Sequence, residues 1–166
     1  MPRPLRYIIS RVFSNKPGIK GSKVLIISPE EQERIVDIEL GRVRKTFIAE
    51  ARELLHEMET ALLYIERSPE DSDAINSLFR SIHTIKGSSG IVEITSVEKF
   101  SHVAESLLSK IRDKEIKIDD RIIELLLACR DHIANLVDLA EAEILDVPAD
   151  MLKRGGTLTN ALNSYL

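Results

Sequence analysis

Tryptophan is absent, cysteine occurs once, and aromatic residues make up only 4% of the 166-residue chain. The lone cysteine, Cys129 in the apolar run LLLACR, excludes an internal disulfide and a cysteine zinc cluster, and reads as a small buried hydrophobe. With so few aromatics the core must be aliphatic, and a hydrophobic content of 43% is enough to build one. No apolar run approaches the roughly 18 to 20 residues needed to cross a bilayer. The start, MPRPLRYIIS, also lacks the apolar centre and small-residue cleavage site of a secretory signal. A soluble, cytoplasmic domain is the expectation.

Acidic charge is missing from one end. Residues 1–29 hold Arg3, Arg6, Arg11, Lys16, Lys20 and Lys23 and no acid, which leaves 17 of the 23 basic residues against all 27 acidic ones in the remainder. This split sets residues 1–42 apart as a basic N-terminal extension and linker, ahead of a main domain at 43–140 and a short C-terminal helical segment at 141–166. Within the extension, RPLRYIISRVF spaces Leu5, Ile8, Ile9, Val12 and Phe13 at helical intervals, NKPGIKGSK reads as a linker, and VLIIS as one short strand with no second strand to pair with. A basic amphipathic helix can lie on a membrane or dock on a partner. The plainer reading is that it packs on its own domain or is the stump of a fusion. The acidic body is no footprint for nucleic acid.

From residue 43 the apolar pattern is helical throughout. Phe47, Ala51, Leu54, Leu55, Met58, Leu62 and Ile65 recur at three and four, and the stripe ends at RSPED. Ser68 and Pro69 then offer a cap and a first-turn proline to a stripe of Ile75, Leu78, Phe79, Ile82 and Ile85. TSVE at 95–98 has the form of a capping box opening a third helix on Val97, Phe100, Val103, Ala104, Leu107, Leu108 and Ile111. Asp119 caps a fourth, carried by Ile122, Leu125, Leu126, Cys129, Ile133, Leu136 and Val137. Four such helices with short connections predict an all-α, up-and-down antiparallel four-helix bundle. Beyond it, VPADMLKRGGTLTNALNSYL allows one or two short helices broken at Gly155 and Gly156.

One stretch resists a purely structural reading. In IHTIKGSSG at 82–90, His83 falls roughly 80 to 100° from the centre of the second helix's apolar stripe, at the margin of the buried face. Gly87 follows one turn later on nearly the same line and Gly90 about two turns later, so the surface beyond the imidazole is bare. Each helical glycine costs about 1 kcal/mol relative to alanine. A closely docking partner gives a reason for that cost. Lys86 can bring its ammonium beside the ring, where it would attract an anion or a transferring phosphoryl group. Ser88 and Ser89 read as helix-end residues, and His56 and His132, amid charged neighbours, as solvated.

HTIKGSSG resembles the signature of histidine phosphotransfer (HPt) domains, most closely the N-terminal phosphotransfer domain of chemotaxis-type (CheA-like) histidine kinases. The resemblance runs from about residue 44 to 140, with FIAEARELLHEMETALLYIE similar to the family's first helix, LFRSIHTIKGSSG to its second and FSHVAESLLSKIRD to its third. It implies that His83 is the phosphorylated histidine, that Lys86 and Gly87 are its helix companions, and that His102 and Glu105 complete the hydrogen-bond network. Periodicity alone puts Glu105 off the apolar stripe and His102 further still. Where relatives often carry an aromatic and a Gly-Leu step, this chain has IVEI at 91–94. Nothing after residue 140 has the length or glycine-rich motifs of an ATP-binding domain.

The chemistry implied suits the residues. An imidazole of ordinary pKa, about 6.5, is largely neutral at cellular pH and offers one nitrogen lone pair to phosphorus, the other nitrogen's hydrogen bond deciding which. Glu105 is expected to accept that bond. Phosphoryl transfer otherwise needs in-line positioning and charge neutralisation. The resemblance therefore implies a phosphorelay carrier with no cofactor of its own, a separate histidine kinase as the source of phosphate, and a response-regulator receiver domain supplying the acceptor aspartate and Mg²⁺. Two rivals stand beside it. One is a metal-binding bundle, because ELLH at 53–56 is a Glu-x-x-His step of the di-iron type and His102 with Glu105 has the reverse spacing. The other is an unphosphorylated signalling adaptor.

Overall fold

A computed structural model describes residues 28–144 and 146–166. The expected basic helix, its linker and VLIIS, apart from Ser28, lie outside the described residues. The described residues form five helices: α1 (Pro29–Ile65), α2 (Ser72–Ile91), α3 (Thr95–Arg112), α4 (Asp120–Glu141) and α5 (Ala149–Asn163). No strand occurs among the described residues.

The first helix starts at Pro29, well before residue 43, so residues 29–42 are helical where the sequence reading has a linker. The cause is local. Ser28 Oγ accepts from the Glu31 amide at 3.2 Å and Glu31 Oε2 accepts from the Ser28 amide at 2.8 Å, a reciprocal capping box with proline in the first helical position. The packed unit is Val36–Leu166. The first fully covered side chain of α1 is Phe47, and from there Phe47, Ala51, Leu55, Met58, Leu62 and Ile65 are buried.

The connections at 66–71, 92–94 and 113–119 are too short to do anything but reverse the chain, and side-chain pairs confirm the antiparallel register. Between α1 and α4, Arg52 reaches Asp138 at 2.8 Å and Glu141 at 2.6 Å, while further along α1 and further back on α4 Arg130 donates to the Leu55 carbonyl at 3.1 Å and to Glu59 at 2.9 Å. Between α2 and α3, Phe79 meets Arg112 and His83 meets Glu105. The bundle closes on an aliphatic core in which Leu62, Ile65, Leu78, Ile82, Ile85, Leu107, Leu108, Leu126 and Ile133 have no exposed surface. Each such side chain contributes about 1.5 to 3 kcal/mol by leaving water. Cys129 lies in this core, and burial pushes its thiol up to about 12, away from thiolate chemistry.

Helix ends depart from the sequence reading in two places. Asp71, not Ser68, caps α2, its carboxylate accepting from the amides of Asp73 at 3.0 Å and Ala74 at 2.9 Å. TSVE forms no capping box: the Ile94 amide donates back to the Ser89 carbonyl at 2.9 Å, the connection shrinks to three residues, and Thr95 is already inside α3 behind an Ile94 cap that makes no side-chain bond. Asp119 does cap α4, accepting from the Ile122 amide at 2.9 Å.

The C-terminal segment is one continuous helix through Gly155 and Gly156. The Nε2 atom of His132 sits 2.7 Å from where a Gly155 Cβ would stand, so that glycine permits close packing and does not break the helix. The expectation that His132 is solvated is overturned: its ring is buried against Gly155 of α5 and lies edge-to-face with Phe100 of α3, with ring centroids 4.4 Å apart. It lies three residues after Cys129 and four before Leu136, on α4's inward side. α5 supplies the cover that the four-helix pattern alone does not show.

Candidate functional site

His83 stands in the middle of α2, one residue past the fully buried Ile82 and two before the fully buried Ile85. That register leaves its side chain 60% exposed while the helix beneath is fixed by the core. The exposed ring is held at one edge: Nδ1 lies 2.5 Å from Glu105 Oε1. The other carboxylate oxygen accepts from Lys86 Nζ at 2.6 Å. Glu105 is itself buried, its side chain 11% exposed, so a single carboxylate at the α2–α3 seam joins the histidine and the lysine.

Burial alone would push the Glu105 carboxyl up, but hydrogen bonds and charge from Lys86 and His83 outweigh it and hold the group below its ordinary value. Glu105 is therefore a carboxylate at neutral pH and can only accept. The Nδ1 atom must then carry the proton and donate it, which leaves the lone pair on the outward Nε2. The arrangement is an imidazole of fixed tautomer presenting a nucleophilic nitrogen to solvent.

The flanks differ from residue to residue. Gly87 is exposed with nothing within 4 Å of a Cβ built on it, so the surface one turn beyond the ring is open. At Gly90 the space is already taken by the Glu98 carboxylate, 3.2 Å from such a Cβ; this glycine makes room for α3. Lys86 is committed to Glu105 and does not lie free beside the ring. The ring of His102 is exposed and outside the cluster, its carbonyl accepting from Ser106 Oγ at 2.9 Å. Ser89 is buried and bonds the Lys86 carbonyl at 2.8 Å.

The sequence profile described as the Hpt domain matches residues 42–143. The chain belongs to the Hpt domain family. Among similar proteins, the chemotaxis protein CheA of Treponema pallidum is 34% identical over 94 residues, covering 57% of this chain and 12% of that protein. The CheA phosphotransferase domain from Thermotoga maritima is 34% identical, with a TM-score of 0.57 over 61% of this chain and 96% of that domain. The phosphorylated P1 domain of CheA3 from R. sphaeroides, solved in complex with CheY6, superposes with a TM-score of 0.67 over 75% of this chain and 98% of that one; at 24% identity it shows the shared fold. The chain thus spans about an eighth of the length of the curated CheA relatives it matches.

As an Hpt domain, the protein carries on α2 and α3 a cluster whose members sequence reading found unequally. His83 and Lys86 are legible from motif and helical spacing; Glu105 is legible by resemblance only. Two neighbours have no such signal. The Phe79 ring stacks on His83 with centroids 5.9 Å apart and planes inclined by 21°, and the Arg112 guanidinium carbon lies 4.1 Å from the Phe79 centroid. Phe79 reads in sequence as one more core residue, although its place four before His83 is the helical spacing at which side chains meet. The position of Arg112 depends on how α3 lies against α2. Among the described residues no three His, Cys, Asp or Glu side chains gather as a metal site, and Glu53 and His56 of the Glu-x-x-His step are exposed on α1.

Proposed function

We propose that His83 accepts a phosphoryl group on Nε2 and passes it to an aspartate of a response-regulator receiver domain, as the carrier in a two-component phosphorelay. The observation that carries this is the exposed imidazole whose inner nitrogen is tied to a buried carboxylate. The Nε2 lone pair attacks phosphorus, the bond to the leaving oxygen breaks, and that oxygen keeps the electron pair. The proton on Nδ1 stays in place, and the positive charge that develops on the ring is balanced by Glu105. Lys86 holds the second carboxylate oxygen and so keeps the first one aimed at the ring.

The chain's own residues supply nucleophile, orientation and an open approach at Gly87. The rest of the reaction belongs to others. We assign ATP binding and kinase chemistry to a chemotaxis-type histidine kinase module outside these 166 residues, and Mg²⁺ to the acidic site of the receiver. No helix among the described residues is long and apolar enough to cross a membrane, and we place the relay in the cytoplasm, where ATP is available.

The test is phosphorylation by an ATP-supplied chemotaxis-type kinase, or by a phosphorylated receiver domain. Acid-labile, base-stable phosphate should appear on the wild type and be lost in His83→Gln. In Glu105→Ala the rate should fall by about 10- to 100-fold, the loss typical of removing a carboxylate that orients an imidazole, with the bundle still folded. Stable labelling of His83→Gln, or an unchanged rate in Glu105→Ala, would contradict the assignment.

A further inference from the structure

We infer that Phe79 is a positioning residue for this transfer: it fixes the plane of the His83 imidazole, as Glu105 fixes its edge. The inference rests on the reading of His83 as phosphoryl acceptor. A single hydrogen bond to one ring edge tolerates tilting of the ring, and tilting sweeps Nε2 through an arc. In-line attack on phosphorus does not tolerate that sweep.

The face contact is what removes the tilt. Phe79 lies one turn before His83 on α2, its ring stacked on the imidazole in a near-parallel arrangement. Phe79 cannot easily turn away, because it packs against the core and carries the Arg112 guanidinium over its ring at 4.1 Å. Arg112 is pinned in turn, its Nε donating to Asp113 Oδ1 at 3.0 Å and its Nη2 to Ser109 Oγ at 3.3 Å. The C-terminal end of α3 thus holds the platform on which the nucleophile rests, while the middle of α3 supplies Glu105. One helix controls both constraints on the ring of its neighbour.

Phosphoramidate serves as a phosphoryl donor that needs no protein partner: Nε2 attacks phosphorus, the P–N bond breaks, and ammonia leaves. Phosphorylation rate, thermal midpoint and ¹⁵N NMR of the His83 ring should be measured together for wild type, Phe79→Leu, Phe79→Tyr and Arg112→Gln. The wild type should show the Nδ1–H tautomer. Phe79→Leu, which keeps apolar bulk and loses the flat face, should lower the rate about two- to tenfold, the range that a stacked contact of this kind supports. Relaxation of its Nδ1–H should report a more mobile ring with the tautomer unchanged, because Glu105 still accepts that bond, and Tyr should restore both rate and ring order. Wild-type rate and ring order in Phe79→Leu would overturn the inference, and so would a Tyr variant as impaired as Leu. Should Phe79→Leu fail to fold, Arg112→Gln decides, because it leaves Phe79 in the core: a smaller loss in the same direction supports the inference, and unchanged ring order and rate overturn it. A wild type that takes no phosphate from phosphoramidate or kinase removes the phosphoryl reading, and the ring-order comparison still judges the positioning.

Discussion

Gly87 separates stability from function more cleanly than any other residue of the site. It sits inside α2, exposed, with nothing near a Cβ built on it. An alanine there should stabilise the fold by about 0.5 to 1 kcal/mol, because glycine loses more backbone freedom on entering a helix. If the same open surface receives the partner that delivers or removes phosphate, the methyl group stands in the interface. Gly87→Ala is therefore expected to raise the denaturation midpoint while raising the apparent KM for transfer with a receiver domain. A variant more stable and equally active would show that the bare surface has no docking role. At this scale the sequence is readable for His83, Lys86 and Gly87, whose relation follows from helical spacing. Glu105 is another matter. A hydrophobic wheel counts it as a surface residue, and only the packing of α3 on α2 turns a buried carboxylate into the partner of two side chains on another helix.

Among the elements, α5 shows how a glycine can mislead. A Gly-Gly pair reads as a helix break when only local propensity is weighed, yet α5 runs through it because Gly155 lies under the His132 ring. The two glycines should respond oppositely to alanine. Gly155→Ala would drive a methyl against a ring already packed on Phe100, and is expected to destabilise by about 1 to 3 kcal/mol. Gly156→Ala has open space and should stabilise by up to about 1 kcal/mol. Paired denaturant titrations test this, and equal effects would refute the packing argument. Helix ends carry a related feature. Glu93, Lys114 and Glu143 all adopt positive φ, at 62°, 63° and 56°, just past α2, α3 and α4. Each follows a helix whose last carbonyls are closed by back-turning amides, such as Ile94 to Ser89 at 2.9 Å and Ile144 to Leu139 at 2.9 Å. Glycine is the favoured residue in that conformation, so Glu93→Gly is expected to raise stability by about 1 kcal/mol in the same titrations. The absence of glycine here also explains why the end of α2 is hard to place from sequence. The helices themselves are legible because their apolar stripes meet a core. Their exact ends are set by competing caps, as where Asp71 displaces Ser68.

For the molecule as a whole, pH links the site to the fold. Burial, helped by the charge of Arg154, lowers the His132 pKa below its ordinary 6.5. The unfolded chain then takes up a proton at that position before the native protein does. Stability from this group is complete above about pH 6.5 and is lost as pH falls through the native value. Glu105 acts lower on the scale. Its native carboxyl stays charged below the ordinary 4.5, because the bonds from Lys86 and His83 outweigh burial, so its contribution is complete above about 4.5 and disappears on further acidification. The two groups lie on α4 and α3 of one cooperative core, so both losses should register in global unfolding. Denaturant midpoints measured from pH 8 to pH 3 are expected to fall in two stages. His132→Leu should flatten the upper stage and leave the lower, while Glu105→Gln should reduce the lower, to which Asp113 and Glu141 paired with Arg112 and Arg52 also contribute, and leave the upper. A single-stage decline shared by wild type and His132→Leu would mean that the buried ring does not titrate with folding. The separation matters for the relay, because the upper stage reports how α5 is seated over His132 and the part of the lower one that Glu105→Gln removes reports the carboxylate that holds the His83 imidazole.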